Sequence, residues 1–166
     1  MISATVLLIA FLGTMGLVLE NAFRSSALAA LNGRLLQQVY GLLSVTEDND
    51  MTVLLPPALT DPLMNQLGSG HFGLVLDDRG TLVWRSQSAM DQALPSELVA
   101  ALDEIVATGV PRAGVVSDGS DKLRYLAYRV QWLGERHTGL YDYVVMEQST
   151  LLEAEVEGFR ARLWGW

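Results

Sequence analysis

Residues 71–85 read H-F-G-L-V-L-D-D-R-G-T-L-V-W-R. Phe72, Leu74 and Leu76 alternate with Gly73 and Val75, the period of two that sends alternate side chains to opposite faces of a strand. Asp77-Asp78-Arg79-Gly80 supplies a turn in which Gly80 can take a positive φ, and Leu82-Val83-Trp84 runs back. The stretch predicts a β-hairpin, and the rest of the sheet follows downstream. Gly114 to Ser117 reads as a short strand. Leu123 to Trp132 reads as a long one, with Leu126, Tyr128, Val130 and Trp132 on one face and Arg129 and Gln131 on the other. Gly134 to Gly139 is expected to be a loop, and Tyr141 to Gln148 the last strand. Between the hairpin and these strands, Ser96 suits the N-cap of a helix carrying Leu98, Leu102 and Ile105, with Gly109 as its stop and Pro111 beyond it. The fold class is therefore α+β: a mostly antiparallel five-stranded sheet, residues 71–148, flanked by helices.

Working upstream, Ile2 to Leu19 is apolar and carries no charge and no proline. As a helix, this run spans about 27 Å, close to the hydrocarbon thickness of a bilayer. Residues 1–20 are read as a transmembrane helix. A cleaved signal peptide would show a basic start and a shorter apolar run. A core helix would seldom be apolar all round at a terminus. No Lys or Arg precedes Ile2, which leads to the expectation that the natural chain begins further upstream. From 21 to 45 the pattern turns amphipathic: Leu28, Leu31, Leu35, Val39 and Leu42 recur at helical spacing. That stripe can pack on its own domain or on a second copy. Thr46 to Asp50 is a polar break. The prolines at 56, 57 and 62 mark an irregular connection that Gly68-Ser69-Gly70 closes.

At the other end, Thr150 and Glu153 form a T-x-x-E capping box opening a helix over 150–166, with Leu152, Val156, Phe159 and Leu163 as its stripe. It ends in Leu163-Trp164-Gly165-Trp166, and tryptophan favours membrane interfaces. Either a second transmembrane span follows or this is an ordinary amphipathic C-terminal helix with two core tryptophans; residues 21–166 are read as one extracytoplasmic domain, with the presumed second span beyond it and the chain expected to be cut from a longer one.

Composition narrows the function. The chain has 19 acidic and 11 basic residues, a formal net charge of −8. That balance argues against nucleic acid, whose phosphates need a basic face. With no cysteine, disulfides and thiolate zinc sites are excluded. No nucleophile elbow, Walker loop or dinucleotide fingerprint occurs, and Gly68-Ser69-Gly70 precedes a strand where a phosphate cradle would precede a helix. His71 and His137 have no histidine partner at metal-ligand spacing. No catalytic residue is assigned. The acidic groups Glu47/Asp48/Asp50, Asp77/Asp78 and Asp118/Asp121 sit where Asp commonly closes turns, and none matches a calcium loop.

Five stretches taken together resemble the sensor region of bacterial two-component histidine kinases, the PhoQ-like group in particular: G-S-G-H-F-G-L-V-L-D (68–77), G-T-L-V-W-R-S (80–86), L-R-Y-L-A-Y-R-V-Q-W (123–132), Y-V-V-M-E-Q (143–148) and F-R-A-R-L-W-G-W (159–166). The resemblance implies a PAS-like (PDC-type) periplasmic domain between two transmembrane helices of a homodimeric inner-membrane kinase. It implies a signal such as a divalent cation (Mg²⁺ or Ca²⁺), a cationic peptide or pH, and no cofactor within this chain. In the Mg²⁺-sensing members a dense acidic stretch precedes the penultimate strand. Here the matching S-D-G-S-D-K (117–122) holds only Asp118 and Asp121, which become the candidate cation-binding residues. The phosphoacceptor helix and ATP-binding domain are absent from these residues. Two further readings stand beside this one: a membrane-tethered periplasmic binding or assembly protein with no kinase, and a periplasmic enzyme.

Overall fold

A computed structural model describes residues 2–104, 108–119, 121–135 and 137–149. The chain divides into two compact units between Arg34 and Leu35. Helix α1, Ile2–Ser44, supplies all of the first and opens the second.

In the first unit, the large apolar side chains from Val6 to Leu19 are 58–71% exposed. Keeping one such side chain in water forgoes about 1.5–3 kcal/mol relative to burying it. Ten within fourteen residues make a surface suited to lipid. The one hydroxyl in the middle of the run, that of Thr14, is satisfied within the helix, by the carbonyls of Ala10 and Phe11 at 3.0 and 2.9 Å. α1 is thus long and apolar enough to cross a membrane.

The second unit is built on a five-stranded antiparallel sheet. Its strands are β3 (His71–Asp77), β4 (Leu82–Arg85), β5 (Arg112–Asp118), β6 (Asp121–Leu133) and β7 (Thr138–Gln148), in the order β4-β3-β7-β6-β5. A small hairpin, β1 (Glu47–Asp48) with β2 (Val53–Leu54), precedes it. The 71–85 hairpin forms as read. Asp77 closes the turn with its own carboxylate, which accepts from the amides of Arg79 and Thr81, and Gly80 has φ 74°.

Both faces of the sheet are covered. On one, Phe72, Leu74, Leu76, Val116, Leu123, Tyr125, Ala127, Val144 and Met146 form a core with Leu98 and Leu102 of helix α2 (Ser96–Asp103). α2 lies between β4 at one edge and β5 at the other, so the chain must cross the sheet there. On the second face sit the last turns of α1. Leu35 and Val39 are fully buried there, Tyr40 meets Tyr128 edge-on at 5.8 Å, and the Tyr143 hydroxyl donates to Thr46 Oγ1 at 3.1 Å. Two-sided cover explains why β3 is buried at six successive positions, Val75 included, where simple alternation predicts a wet face. It likewise corrects the reading of β6: the face carrying Arg129 and Gln131 also carries the buried Tyr125 and Ala127.

Other local expectations shift. α2 begins at Ser96 with Pro95 at the N-cap, and no side chain caps it. Its described turns end at Asp103, not Gly109; Ile105 lies outside the described residues. Gly109 instead donates its amide to the Arg129 carbonyl at 2.9 Å, at the rim of β6. The polar break at 46–50 holds strand β1. The proline-rich connection contains a short 3-10 turn, Pro62–Asn65, capped by the Asp61 carboxylate, which also accepts from Gln38 of α1. The helix expected over 150–166, with its capping box and tryptophans, lies outside the described residues.

Two glycines test this packing with opposite signs. A Cβ on Gly114 would stand 2.7 Å from the ring of Tyr125, itself buried, so Gly114→Ala is expected to destabilise the domain by about 1–3 kcal/mol. Gly41 lies in α1, and a Cβ there would meet nothing within 4 Å outside its own turn of helix, so Gly41→Ala is expected to stabilise by about 0.5–1 kcal/mol. Urea unfolding of the detergent-solubilised chain checks both.

Candidate functional site

The two aspartates singled out by sequence face each other. Asp118 ends β5 and Asp121 begins β6, and they pair across the tip of that hairpin. A hard divalent cation takes six or more oxygens. Among the described residues no group of three or more acidic or histidine side chains is placed to hold a metal. Asp118 and Asp121 are therefore two carboxylates at a turn, in the positions where aspartate also serves the backbone.

Two polar constellations of the second unit were not legible as such. The first surrounds His137, which sequence places in a loop without partners. Its Nδ1 lies 2.7 Å from Asp48 Oδ1 and 2.8 Å from the Asn49 carbonyl. Both are acceptors, so Nδ1 carries a proton. Nε2 is 3.0 Å from the Tyr141 hydroxyl and accepts its proton when the ring is neutral. A second proton on the ring reverses only that last bond. Trp132 Nε1 donates to the same Asp48 oxygen at 3.2 Å. A Cβ on Gly134 would overlap the Asp48 carboxylate, so only glycine permits this approach. The result is a latch. β1, which follows α1 by two residues, is tied to the loop between β6 and β7. Tyr141 and His137 are almost enclosed, and the chain of hydrogen bonds Asp48–His137–Tyr141 holds these segments together.

The second constellation is Arg129 with Asp142, cross-strand partners on β6 and β7. Nε and Nη2 of Arg129 reach Oδ1 and Oδ2 of Asp142 at 2.7 and 2.6 Å, a two-pronged ion pair, and Nη2 also donates to the Leu102 carbonyl at the end of α2. The Asp142 side chain is 3% exposed. Hydrogen bonding to Asp142 holds the Arg129 guanidinium above its ordinary pKa, against the opposing effect of its own burial. Beside it, Thr108, Gly109, Tyr128, Arg129, Val130 and Gln131 line an open groove of about 220 Å³. Opposite charges within two adjacent strands, each flanked by large apolar or aromatic residues, were the visible signal for this pair.

His71 differs from His137. It starts β3 opposite Glu147 of β7, both side chains are buried, and its Nδ1 has no hydrogen-bond partner among the described residues. Burial also pushes the pKa of the Tyr143 phenol up, partly offset by its bond to Thr46.

Comparison with protein-family models, with curated proteins and with solved structures finds no match to this chain.

Three outcomes follow. Asp142→Ala removes the carboxylate that accepts two hydrogen bonds from the Arg129 guanidinium, and is expected to cost about 3–5 kcal/mol in urea unfolding, more than Arg129→Met/Asp142→Leu together. Gly134→Ala or His137→Ala is expected to open the latch while the sheet stays folded, seen as faster amide exchange at 47–54 and unchanged protection in β3. Tyr143 binds its proton more tightly folded than unfolded, so its contribution is complete below pH 10, the ordinary value, and is lost as pH rises through the raised one. Tyr143→Phe is expected to flatten the alkaline fall in stability above that pH.

Proposed function

We propose that the chain is the membrane-anchored, periplasmic signal-sensing region of a bacterial two-component sensor histidine kinase of the PhoQ-like group, acting as a homodimer in the inner membrane. In this reading α1 crosses the membrane, the sheet is of the PAS/PDC type, and the segment after Ser149 leads towards a second span and a cytoplasmic kinase. The supporting observation is that a helix apolar enough to cross a membrane ends inside the core of a sheet. Leu35 and Val39 are sealed between them, and the Asp48–His137 latch stands immediately beyond the helix. The sheet also fits: counted from His71, its strands lie in the order 2-1-5-4-3, with the last one central. A ligand preferring one arrangement of the latch and sheet would shift the population of the other, and α1 would carry the difference. Formal charge of −8 favours a cationic signal, a divalent ion or a basic peptide.

Reading the gene past the Trp166 codon tests this. A second apolar span followed by a helix with a phosphoacceptor histidine is expected; an immediate stop codon sinks the kinase reading and leaves a tethered binding or assembly protein. For the signal, calorimetry with Mg²⁺ and Ca²⁺ is expected to show weak binding that the double variant Asp118→Asn/Asp121→Asn loses. If that variant binds like the parent, the hairpin tip is not the cation site.

A further inference from the structure

We propose that a second copy of this chain docks along the outer edge of β5, in one antiparallel register centred on Val115, joining two sheets into one. The proposal is independent of the sensor reading and of any ligand.

β5 ends the sheet, and among the described residues no strand pairs on its far side. Natural edge strands are usually protected by lysine, internal proline, bulges or brevity. β5 has seven residues, R-A-G-V-V-S-D, paired with β6 without a register shift and free of lysine and proline. Val115 at its centre is 47% exposed, and Ala113 and Ser117 are exposed beside it.

The backbone direction fixes which register can form. The Ser117 amide donates to Glu97 Oε2 at 2.9 Å, so it faces away from β6. By the alternation of antiparallel ladders, the amides and carbonyls of Ala113 and Val115 face outward with it. A twofold axis at Val115 sets Val115 opposite its own copy and Ala113 opposite Ser117. These are the residues whose backbone groups point out, so every one of them meets a partner; Glu97 releases Ser117 as this happens. The same axis sets Arg112 opposite Asp118, twice. Those two residues share one face of β5, and opposite charges directly across a ladder stabilise the pairing. Arg112 now meets Glu104 at 2.8 Å, but both are well exposed, and such a surface pair contributes little to resist exchange. A shift of one residue would turn the outward groups away. A shift of two would break the charge match.

The chain has no cysteine, so single thiols report the register directly. In detergent micelles under copper–phenanthroline oxidation, full-chain Val115→Cys is expected to form a disulfide-linked dimer, because directly opposed residues of this type lie about 5.5 Å apart, within disulfide range. Ala113→Cys and Ser117→Cys are each expected to cross-link poorly alone and readily when mixed. Arg112→Asp or Asp118→Arg is expected to lose the Val115→Cys cross-link, and the two changes together to restore it. Val115→Lys is expected to give monomers on light scattering with the circular dichroism of the parent. The proposal is overturned if Val115→Cys links no faster than Ala113→Cys alone, if the mixture gains nothing, or if the charge swap fails to recover the cross-link. It also falls if Val115→Cys resists maleimide in a chain shown to be monomeric, since the chain's own residues would then cover the edge.

Discussion

Asp142 carries a carboxylate into the middle of a sheet covered on both faces, and one guanidinium answers it. An unpaired charge in that position would cost several kcal/mol, more than a small domain can readily spare. Arg129 must therefore stand directly across from Asp142, which sets the register of β6 on β7, the longest pairing in the sheet. The same guanidinium takes the Leu102 carbonyl, so it also fixes where α2 ends, as a cation suits the C-terminal end of a helix. Strand register and helix position are settled by one side chain. The aromatic residues then fall into place: Tyr125 over Gly114 on that face, Tyr128 and Tyr143 beneath α1 on the other.

Much of this was legible. Alternation and turn chemistry give the 71–85 hairpin almost residue by residue, because Asp77 and Gly80 solve a local problem with local groups. The run of five strands and the amphipathic end of α1 follow from periodicity alone. Long-range pairings were less accessible. Ending the last two strands at Trp132 and Tyr141, as composition suggests, would place Arg129 across from Val144. The strands extend to Leu133 and Thr138, and that small change brings Asp142 opposite. The latch was hidden for a related reason. Asp48 and His137 are 89 residues apart, and the signal joining them is Gly134, whose missing side chain makes room for a carboxylate. The candidate cation site was readable as two aspartates flanking a turn, and the fold pairs them across the β5–β6 hairpin tip.

The latch and the ion pair divide the work on the two sides of the sheet. Arg129–Asp142 is shielded and binds strand to strand. Asp48–His137–Tyr141 sits at a loop and binds the exit of α1 to the far end of β6 and β7. A change that reaches the β6–β7 loop therefore bears first on β1 and then on the end of the helix, without any need to disturb the centre of the sheet. In the sensor reading proposed above, a firm middle with a separate tie at one end is the arrangement a relay would use.

The strand order has a consequence for synthesis. β3 and β4 can pair as soon as both have been made, and so can β5 and β6, since each pair is a local hairpin. β7 lies between the two pairs and comes after both of them in the chain. Until it arrives, the inward edges of β3 and β6 are bare, and the two hairpins have no shared ladder. Only β7 joins the two hairpins into one ladder, so the sheet becomes continuous through a single strand that is remote in sequence from β3.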